Sequence, residues 1–294
     1  MSPEIRALAE SLEGAGYVTD APVATALFLA TALAKPLLIE GEAGVGKTET
    51  AKALARVLST ELIRLQCYEG LDAATALYEW NYPRQLLHAR IFEGRGEDPA
   101  ATEAAIFGRE YLLERPLLRA ITREDRSPVL LVDEIDRADD GFEAFLLELL
   151  SDFQVTIPEL GTIRARHLPF VVLTSNRTRE IGDALRRRCL YLYLEHPDLE
   201  KEVRIIRRQV PEASAELASE IGAFMQAARR RRLSKLPGVA ETIDWARALV
   251  RLGVAHLDLD TAQATLGAIL KDPRDLKELA RGELAAMLPG EALQ

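Results

Sequence analysis

The segment Gly41-Glu-Ala-Gly-Val-Gly-Lys-Thr48 matches the pattern G-x-x-x-x-G-K-[ST] at every position. An apolar run, Pro36 to Glu40, precedes it, and a helical pattern, Thr50 to Leu58, follows it. A buried strand, a glycine-rich turn and a helix form the context that a phosphate-binding loop requires. Glycines let the backbone turn several N–H groups toward an anion, and the helix dipole adds to the attraction. The segment predicts a nucleoside triphosphate site; the alternative is a glycine-rich turn with an exposed lysine.

Two side chains of this loop have specific expected roles. Lys47 is expected to reach the β- and γ-phosphates, and the Thr48 hydroxyl is expected to bind Mg²⁺. The four histidines and two cysteines lack metal-site spacing, so the expected metal is Mg²⁺ that arrives with the nucleotide. The predicted nucleotide-binding residues are Gly41, Glu42, Ala43, Gly44, Val45, Gly46, Lys47, Thr48 and Glu49.

Short apolar runs alternate with helical patterns through the first two thirds of the chain. The predicted strands are Leu37–Glu40, Glu61–Tyr68, Pro128–Asp133, Phe170–Thr174 and Cys189–Leu194. This alternation is typical of a parallel sheet with helices on both faces. We therefore predict an α/β fold, a parallel five-stranded αβα sandwich.

Two interruptions and one change of pattern divide the chain. Residues 69–121 are predicted to hold more than one helix, and alternation around Glu159–Gly161 predicts a β-hairpin before the fourth strand. Past residue 196 the strand signals stop and helical patterns continue, which indicates a second domain. The predicted domains are 1–196, the nucleotide-binding core, and 197–294, a smaller all-helical lid.

Polar side chains end the third and fourth strands. Asp133 and Glu134 follow four apolar residues, and Asn176 follows the next strand of the pattern. In a parallel sheet this third strand would lie beside the strand that enters the glycine loop, so that Asp133 would hold Mg²⁺ and Glu134 would activate the attacking water. Asn176 would hydrogen-bond the phosphate and the water. The alternatives are a plain strand-to-loop transition for the acids and a turn-opening role for the asparagine.

Three adjacent arginines, Arg186 to Arg188, precede the fifth strand. One interpretation is a solvated helix end that the helix dipole favours. The other is an arginine finger, donated across a subunit boundary to the phosphoryl group during transfer. We favour the finger, because arginine suits bidentate phosphate contact.

Bulk composition excludes several classes of function. The 294 residues carry a net charge of −9, which disfavours non-specific binding to nucleic acid or anionic membrane. The chain lacks an apolar run long enough to span a membrane, and its N-terminus lacks a signal-peptide pattern, so a cytoplasmic location is expected. Cys67 and Cys189 are expected to be small buried hydrophobes.

With these elements in this order, the chain resembles the AAA+ ATPases, a class of P-loop NTPases, and within them the MoxR family. Segments Ile63–Gly70, Leu77–Tyr82 and Glu241–Arg247 resemble the CoxD-type branch, and the resemblance covers nearly the whole chain. It implies ATP as the nucleotide, an insert in the second helix and a hairpin before the sensor strand. By position, the family's finger falls on Arg188 first and Arg187 second.

The resemblance also implies partners and an assembly. It implies a ring, most often a hexamer, a partner with a von Willebrand factor A domain, and a client metalloenzyme of the molybdenum dehydrogenase type. The segment that matches the family's second sensor, Pro237–Glu241, has alanine where arginine is expected, with Arg247 as a substitute. Trp80 and Tyr82 lie where such rings place pore loops, although they could equally pack the insert. The basic run Arg229–Arg232 is predicted to be a solvated helix end without a role.

Three other functions stay open at this stage. The chain could be an AAA+ motor or loader that acts on nucleic acid, a small-molecule kinase that uses the same phosphate loop, or a nucleotide-dependent switch. The acidic balance counts against the nucleic-acid motor. A kinase would need neither a finger from a neighbour nor a helical lid of this size.

Overall fold

The computed structural model describes residues 1–95, 105–278 and 281–288. The strands are β1 Leu37–Gly41, β2 Leu62–Gln66, β3 Tyr78–Trp80, β4 Leu112–Glu114, β5 Val129–Asp133, β6 Gln154–Ile157, β7 Gly161–Arg164, β8 Phe170–Ser175 and β9 Leu190–Leu194. The helices are α1 Pro3–Gly14, α2 Ala21–Ala32, α3 Lys47–Val57, α4 Ala73–Leu77, α5 Tyr82–Arg95, α6 Pro116–Ile121, α7 Asp140–Asp152, α8 Asp183–Arg188, α9 Leu199–Gln209, α10 Ala215–Arg229, α11 Val239–Arg251, α12 Leu259–Thr265, α13 Pro273–Glu278 and α14 Arg281–Ala285.

Five strands form one sheet in the order β2-β5-β8-β1-β9. The pairs β2–β5, β5–β8 and β8–β1 are parallel. All five residues of β5 are buried, as expected for a central parallel strand that helices cover on both faces. The predicted five-stranded parallel α/β fold is therefore confirmed.

The chain divides into two compact units, each built from separate segments. The sheet unit contains Pro22–Glu40 and Leu54–Leu192, and the helical unit contains Met1–Ala21, Gly41–Ala53 and Tyr193–Gln294. The helical unit thus combines the C-terminal helices with the glycine loop and the first helix. The predicted division into domains at residue 196 stays a prediction.

The predicted insert lies in the sheet unit and contains more than one helix, as expected. Between β2 and β5 the chain forms α4, α5 and α6. A small antiparallel pair, β3 with β4, was not predicted and joins the two sides of the insert. Trp80 is buried and meets Phe107 edge to face, with ring centroids 5.3 Å apart. Trp80 therefore packs the insert, whereas Tyr82 is 59% exposed.

The predicted hairpin is also present. Strands β6 and β7 pair antiparallel, with Ile157 opposite Gly161. A three-residue connection, residues 158–160, joins them, and Gly161 has a φ of +78°, a left-handed conformation that glycine adopts without strain. Ile157 and Val155 are buried in the apolar core of the sheet unit, which anchors the hairpin.

Helices α9 to α12 surround a core of their own in the helical unit. Phe224 and Trp245 are fully buried, with ring centroids 5.0 Å apart. The indole N–H of Trp245 donates to the Thr265 hydroxyl at 2.8 Å, so the buried polar atom has a partner. Asp198 and Ser214 cap α9 and α10, where their side chains accept backbone N–H groups of the first turn.

The interpretation of Arg229 as a solvated residue is wrong. Its side chain is 6% exposed and forms a two-point ion pair with Glu202, at 2.6 and 2.7 Å, and the Glu202 side chain has no exposed surface. The Thr242 hydroxyl and the Gln226 amide also donate to Glu202, at 2.8 and 2.7 Å. A buried carboxylate persists only with such partners, and here α10 and α11 supply them to Glu202 of α9. Arg230, Arg231 and Arg232 are exposed, as predicted.

Within the described residues, none of the helices combines the length and the apolar composition needed to cross a membrane.

Candidate functional site

The glycine loop joins β1 to α3 as the motif predicts. Gly44 and Gly46 have φ values of +83° and +102°, which side-chain-bearing residues rarely adopt. Lys47 and Thr48 are the first two residues of α3, so the loop ends at a helix N-terminus. The Lys47 ammonium is buried and donates to the Gly41 and Glu42 carbonyls at 2.8 and 2.6 Å. Its charge is therefore held at the loop backbone, where a phosphate is expected.

The other loop residues differ in exposure. Val45 is buried, whereas Glu42, Ala43 and Glu49 are exposed, and Glu49 lies 3.6 Å from Lys52. Just past the loop, the Thr50 hydroxyl is buried and shares a hydrogen bond of 2.8 Å with the Tyr17 hydroxyl. The loop is thus fixed at its helical end by a residue of the N-terminal segment.

The start of α11 contacts the glycine loop within the helical unit. The N–H of Val239 donates to the Gly44 carbonyl at 2.8 Å. A Cβ added to Gly238 would lie 2.6 Å from the Gly44 Cα, so only glycine fits there. The Glu241 carboxylate accepts the Gly238 N–H at 3.1 Å and fixes this first turn. The first turn of α11 therefore meets the loop through backbone atoms, and Arg247, two turns later, pairs with Asp244 at 3.6 Å.

His196 links the loop to the segment before α9. Its Nε2 lies 3.2 Å from a carboxylate oxygen of Glu42, and its Nδ1 is buried without a partner among the described residues. Burial, and then the charge of Arg229, hold the pKa of His196 below its ordinary value of 6.5, although Glu42 and Glu202 oppose this. The imidazole is therefore neutral at neutral pH.

The sheet unit brings Asp133 into a polar cluster at the end of β5. The Asp133 carboxylate is 3% exposed and accepts the Thr174 hydroxyl of β8. Arg64 of β2 donates to it from both Nε and Nη2, at 2.9 and 2.6 Å. Asp133 is therefore a buried, oriented carboxylate with one neutral and one cationic partner.

Glu134 has a left-handed backbone, with a φ of +56° and ψ of +50°. For a residue with a side chain this conformation costs free energy and is typical of functional positions. Its N–H donates to the Thr174 hydroxyl at 2.9 Å, so Thr174 contacts both acids. The Glu134 carboxylate lies 2.7 Å from Nε of Arg137.

Asn176 begins the loop after β8, and Asp136 holds that loop. The backbone N–H groups of Asn176 and Thr178 donate to the two Asp136 oxygens at 3.2 and 2.9 Å, and the Thr178 hydroxyl adds a third bond at 2.6 Å. Burial alone would raise the pKa of Asp136, but these hydrogen bonds outweigh it and lower the pKa below the ordinary value. Asp136, two residues after Glu134, thus holds the backbone of the loop that Asn176 begins.

A buried acid, Glu40, occupies the next-to-last position of β1 and has no role in the predicted site. Glu40 is paired in register with Ser175, the residue before Asn176. Its carboxylate accepts the Tyr191 hydroxyl at 2.9 Å, and Arg177 and Arg186 lie 3.8 and 3.9 Å from it. Glu40 therefore connects β1, the strand that enters the glycine loop, to Tyr191 of β9 by a hydrogen bond. It also lies within ion-pair distance of Arg177 and Arg186.

The three arginines before β9 lie on α8 and have different surroundings. Arg186 stacks over the Tyr191 ring, with its guanidinium carbon 5.6 Å from the ring centroid. Arg188 donates to the Ser151 hydroxyl at the end of α7. Arg187 is exposed. The two predicted finger residues are thus both on the surface of the sheet unit, and Arg188 is engaged with a neutral partner.

The cysteines are free thiols. Burial, with a contribution from Asp133 and its neighbouring acids, raises the pKa of Cys67 to about 12, and burial raises that of Cys189 to about 12. Cys67 is fully buried and Cys189 is partly buried. Over the described part of the chain, no three His, Cys, Asp or Glu side chains are grouped closely enough to hold a metal ion by themselves.

A comparison with protein families matches residues 36–189 to the AAA domain, dynein-related subfamily. The match covers more than half of the chain. The chain belongs to this family. The glycine loop, the paired acids and Asn176 of this AAA domain all fall inside the matched range, as does α8.

Several solved structures are similar to this AAA domain protein at low identity. The RuvB Holliday junction branch migration motor of Thermotoga maritima is 19% identical, with 87% of this chain and 70% of that chain covered and a TM-score of 0.48. Domain III of the replication initiation protein DnaA from Thermotoga maritima is 16% identical, covering 92% and 99%, with a TM-score of 0.49. A putative ATPase from Cytophaga hutchinsonii is 17% identical, covering 94% and 84%, with a TM-score of 0.49.

Proposed function

We propose that this AAA+ protein binds ATP with Mg²⁺ and hydrolyses it. The observation that carries the proposal is the cluster at the end of β5, where Thr174 contacts both Asp133 and Glu134. Two acids in this order, one buried and one accessible, fit the division between metal binding and base catalysis. The chain also contains a complete phosphate loop after β1, with Lys47 held at its backbone.

Each residue has one step in this proposal. Lys47 binds the β- and γ-phosphates, and the backbone of residues 41–49 surrounds them. Glu134 accepts a proton from the water that attacks the γ-phosphorus, while the bond to the β-phosphate oxygen breaks. Asn176 orients that water. Asp133 suits Mg²⁺, which prefers oxygen ligands, and with the Thr48 hydroxyl it would hold the ion that neutralises phosphate charge.

Helix α8, the arginine helix, carries Arg186, Arg187 and Arg188. It extends the proposal to an assembly of several subunits. Arg188, with Arg187 as the second choice, acts in the site of a neighbouring subunit, so hydrolysis requires a ring, most simply a hexamer. Support comes from their surface positions on α8. Arg188 donates to a neutral hydroxyl there, which a phosphate can replace at small cost.

The work of the ring is the remodelling of another protein. The MoxR family and its CoxD-type branch stay the proposed relatives, on the sequence resemblance, with a von Willebrand factor A partner and a molybdenum-type metalloenzyme as client. The hairpin β6–β7 and the insert between β2 and β5 support this proposal, since that family carries both features. If the ring has two states that bind the client protein with different affinity, ATP hydrolysis can switch between them and so drive the unfolding of part of the client.

Three variants test the ATPase. Lys47→Ala should abolish nucleotide binding, and Glu134→Gln should bind ATP yet hydrolyse it at least ~100-fold more slowly, the scale of a lost general base. Arg188→Ala should bind ATP, fail to hydrolyse it, and regain activity when mixed with Lys47→Ala subunits. Unaltered turnover of Glu134→Gln would exclude its role as base.

Two measurements separate the rival functions. Turnover per chain that persists on dilution to monomers would favour a kinase or a switch over a ring. A rate that DNA or RNA stimulates would favour the nucleic-acid motor, which the net charge of −9 disfavours. Capture of proteins by the Glu134→Gln variant with ATP would then identify the client.

A further inference from the structure

The segment from β8 to β9 carries both Asn176 and the arginine helix, and two acids hold its two parts. Asp136 accepts the backbone N–H groups of Asn176 and Thr178. Glu143, seven residues later, accepts the N–H of Gly182 at 2.8 Å. One short stretch after β5 therefore anchors the whole segment at two separate points.

Gly182 is the residue that begins the arginine helix. It is the N-cap of α8, and its carbonyl accepts the N–H groups of Leu185 and Arg186, both at 3.1 Å. A Cβ on Gly182 would lie 3.0 Å from the Glu143 oxygen, so the carboxylate sits directly against the cap. The N-terminal end of α8 is thus fixed by a side chain of α7.

A second contact of Glu143 strengthens this anchor. Glu143 is buried, and Arg179 donates to its other oxygen. Arg179 also donates to the Ala138 carbonyl at 2.7 Å and to Asp140 at 3.0 Å. A buried carboxylate with one cationic and one backbone partner is costly to leave half-paired, so loss of either partner should displace the segment.

The far end of α8 is fixed independently. Leu190, two residues past the last residue of α8, begins β9 and donates its N–H to the Pro36 carbonyl at 2.8 Å. Nearer the middle of α8, Leu185 is buried in the core of the sheet unit. With its C-terminal end held by the sheet, the direction of α8 depends on the position of Gly182. A shift at the cap would turn α8 about these held points, so that the Arg187 and Arg188 side chains leave the helix in a different direction.

We propose that Glu143, with Arg179, is a positioning residue for the arginine finger and serves the site of the neighbouring subunit. Asp136, in contrast, supports the active site of its own subunit, because it holds the backbone of Asn176. The inference rests on the proposed function, in which α8 acts across a subunit boundary. It separates two acids seven residues apart, Asp136 before α7 and Glu143 on α7, by the active site that each one supports.

Subunit mixing distinguishes the two assignments. A Lys47→Ala subunit binds no ATP but presents an intact arginine helix to its neighbour. Mixed with it, Glu143→Ala and Glu143→Gln should regain hydrolysis, because their own sites are intact. Asp136→Asn should regain none, because its own site is defective whatever stands beside it. Arg188→Ala is the positive control, and Glu134→Gln is the negative one.

Kinetics on the single variants exclude a merely structural role. Glu143→Ala should lower kcat by about 10- to 100-fold, the scale of a misplaced catalytic group, with KM for ATP changed by less than about twofold. Glu143→Gln keeps the shape and an acceptor for Gly182, so it preserves the fold while it loses the charge that pairs with Arg179. Glu148→Gln, on the exposed face of the same helix, is the matched control and should behave as wild type.

The outcomes are distinct. If Arg188→Ala is not complemented, the proposed trans arrangement fails and takes the inference with it. If Arg188→Ala is complemented while folded Glu143→Gln retains wild-type kcat, the inference alone is wrong. It is equally wrong if the Glu143 variants lose ATP affinity in place of kcat, or if Lys47→Ala subunits do not rescue them.

Discussion

Gly238 and Gly44 approach each other so closely that a Cβ on Gly238 would lie 2.6 Å from the Gly44 Cα and 2.9 Å from its carbonyl oxygen. The Val239 N–H then donates to that same carbonyl at 2.8 Å. Two glycines therefore let the first turn of α11 touch the phosphate loop through backbone atoms. The residue at this helix start where the resemblance leads one to expect arginine is alanine, Ala240.

Gly238→Ala should weaken ATP binding while the fold persists. Gly238 has a φ of −87°, so alanine is free of backbone strain there, and the cost comes from the clash with Gly44. We expect Kd for ATP to rise by roughly tenfold, the result of about 1.4 kcal/mol of lost contact. Isothermal titration with Mg·ATP measures this, with Gly14→Ala as control because no atom lies within 4 Å of its added Cβ. An unchanged Kd would show that the contact does not support the loop.

Arg64→Gln should lower the Mg²⁺ concentration that ATP hydrolysis requires. The Arg64 guanidinium lies 2.6 Å from the buried Asp133 carboxylate and makes the potential there less favourable for a second cation. Removing one partly exposed charge of this kind, worth about 1 kcal/mol, should lower the half-saturating Mg²⁺ concentration roughly three- to tenfold. Arg109→Gln, which breaks an exposed pair with Glu114, is the control. A requirement that rises would mean that Arg64 chiefly orients Asp133.

Patterns along short stretches of the sequence predicted several parts of this site. Contacts between segments that are distant in the sequence could not be predicted from such patterns. The glycine loop and the paired acids follow from short-range spacing, because a motif and its flanking strand are contiguous. The strand order does not: the sequence pattern leads one to expect β5 beside β1, but β8 lies between them. Arg64 faces Asp133 only through the register of β2 against β5. Glu143 reaches Gly182 across 39 positions of sequence. Such contacts depend on which side chains two packed elements present to each other, and spacing along one element does not contain that information.

The basic run after α10 shows the same limit in one residue. Arg229, the last residue of α10, begins a run of four arginines, and a charged run is usually solvated. Its position one helical turn after Met225, and three residues after Gln226, places it on the face that α9 and α11 cover. The buried Glu202 on α9 supplied the signal, since an isolated acid at a core position of an amphipathic helix requires a basic partner.

His196 should make stability depend on pH below about 6.5, its ordinary pKa. Burial first, and then Arg229, lower its pKa in the folded protein, so the unfolded chain binds a proton at a higher pH than the folded chain. As the pH falls below about 6.5, the unfolded chain therefore binds a proton at His196 before the folded protein does. The free energy of unfolding consequently decreases in this pH range. Thermal unfolding of His196→Gln, followed between pH 7.5 and 5.5, should show a smaller decrease in Tm than the wild type (both limits are about one unit from the ordinary pKa).

The pH test has a matched control in His256→Gln. That histidine is 73% exposed and pairs with Glu220 at 3.1 Å. Its removal should leave the slope of Tm against pH nearly unchanged. The acids that face His196, Glu42 and Glu202, are present in both variants. Equal slopes for His196→Gln and wild type would contradict the assignment.

Arg229→Met should destabilise the helical unit strongly, because it leaves the Glu202 carboxylate buried and half-paired. Loss of one partner of such a pair costs about 3–5 kcal/mol, far more than an exposed pair contributes. Urea unfolding in a Trp80→Phe background isolates the signal of Trp245, since the chain has two tryptophans. Arg230→Met, the exposed neighbour, should change the free energy of unfolding by less than about 0.5 kcal/mol. Similar values for the two variants would mean that solvent reaches Glu202 and that α9, α10 and α11 are held by apolar packing alone.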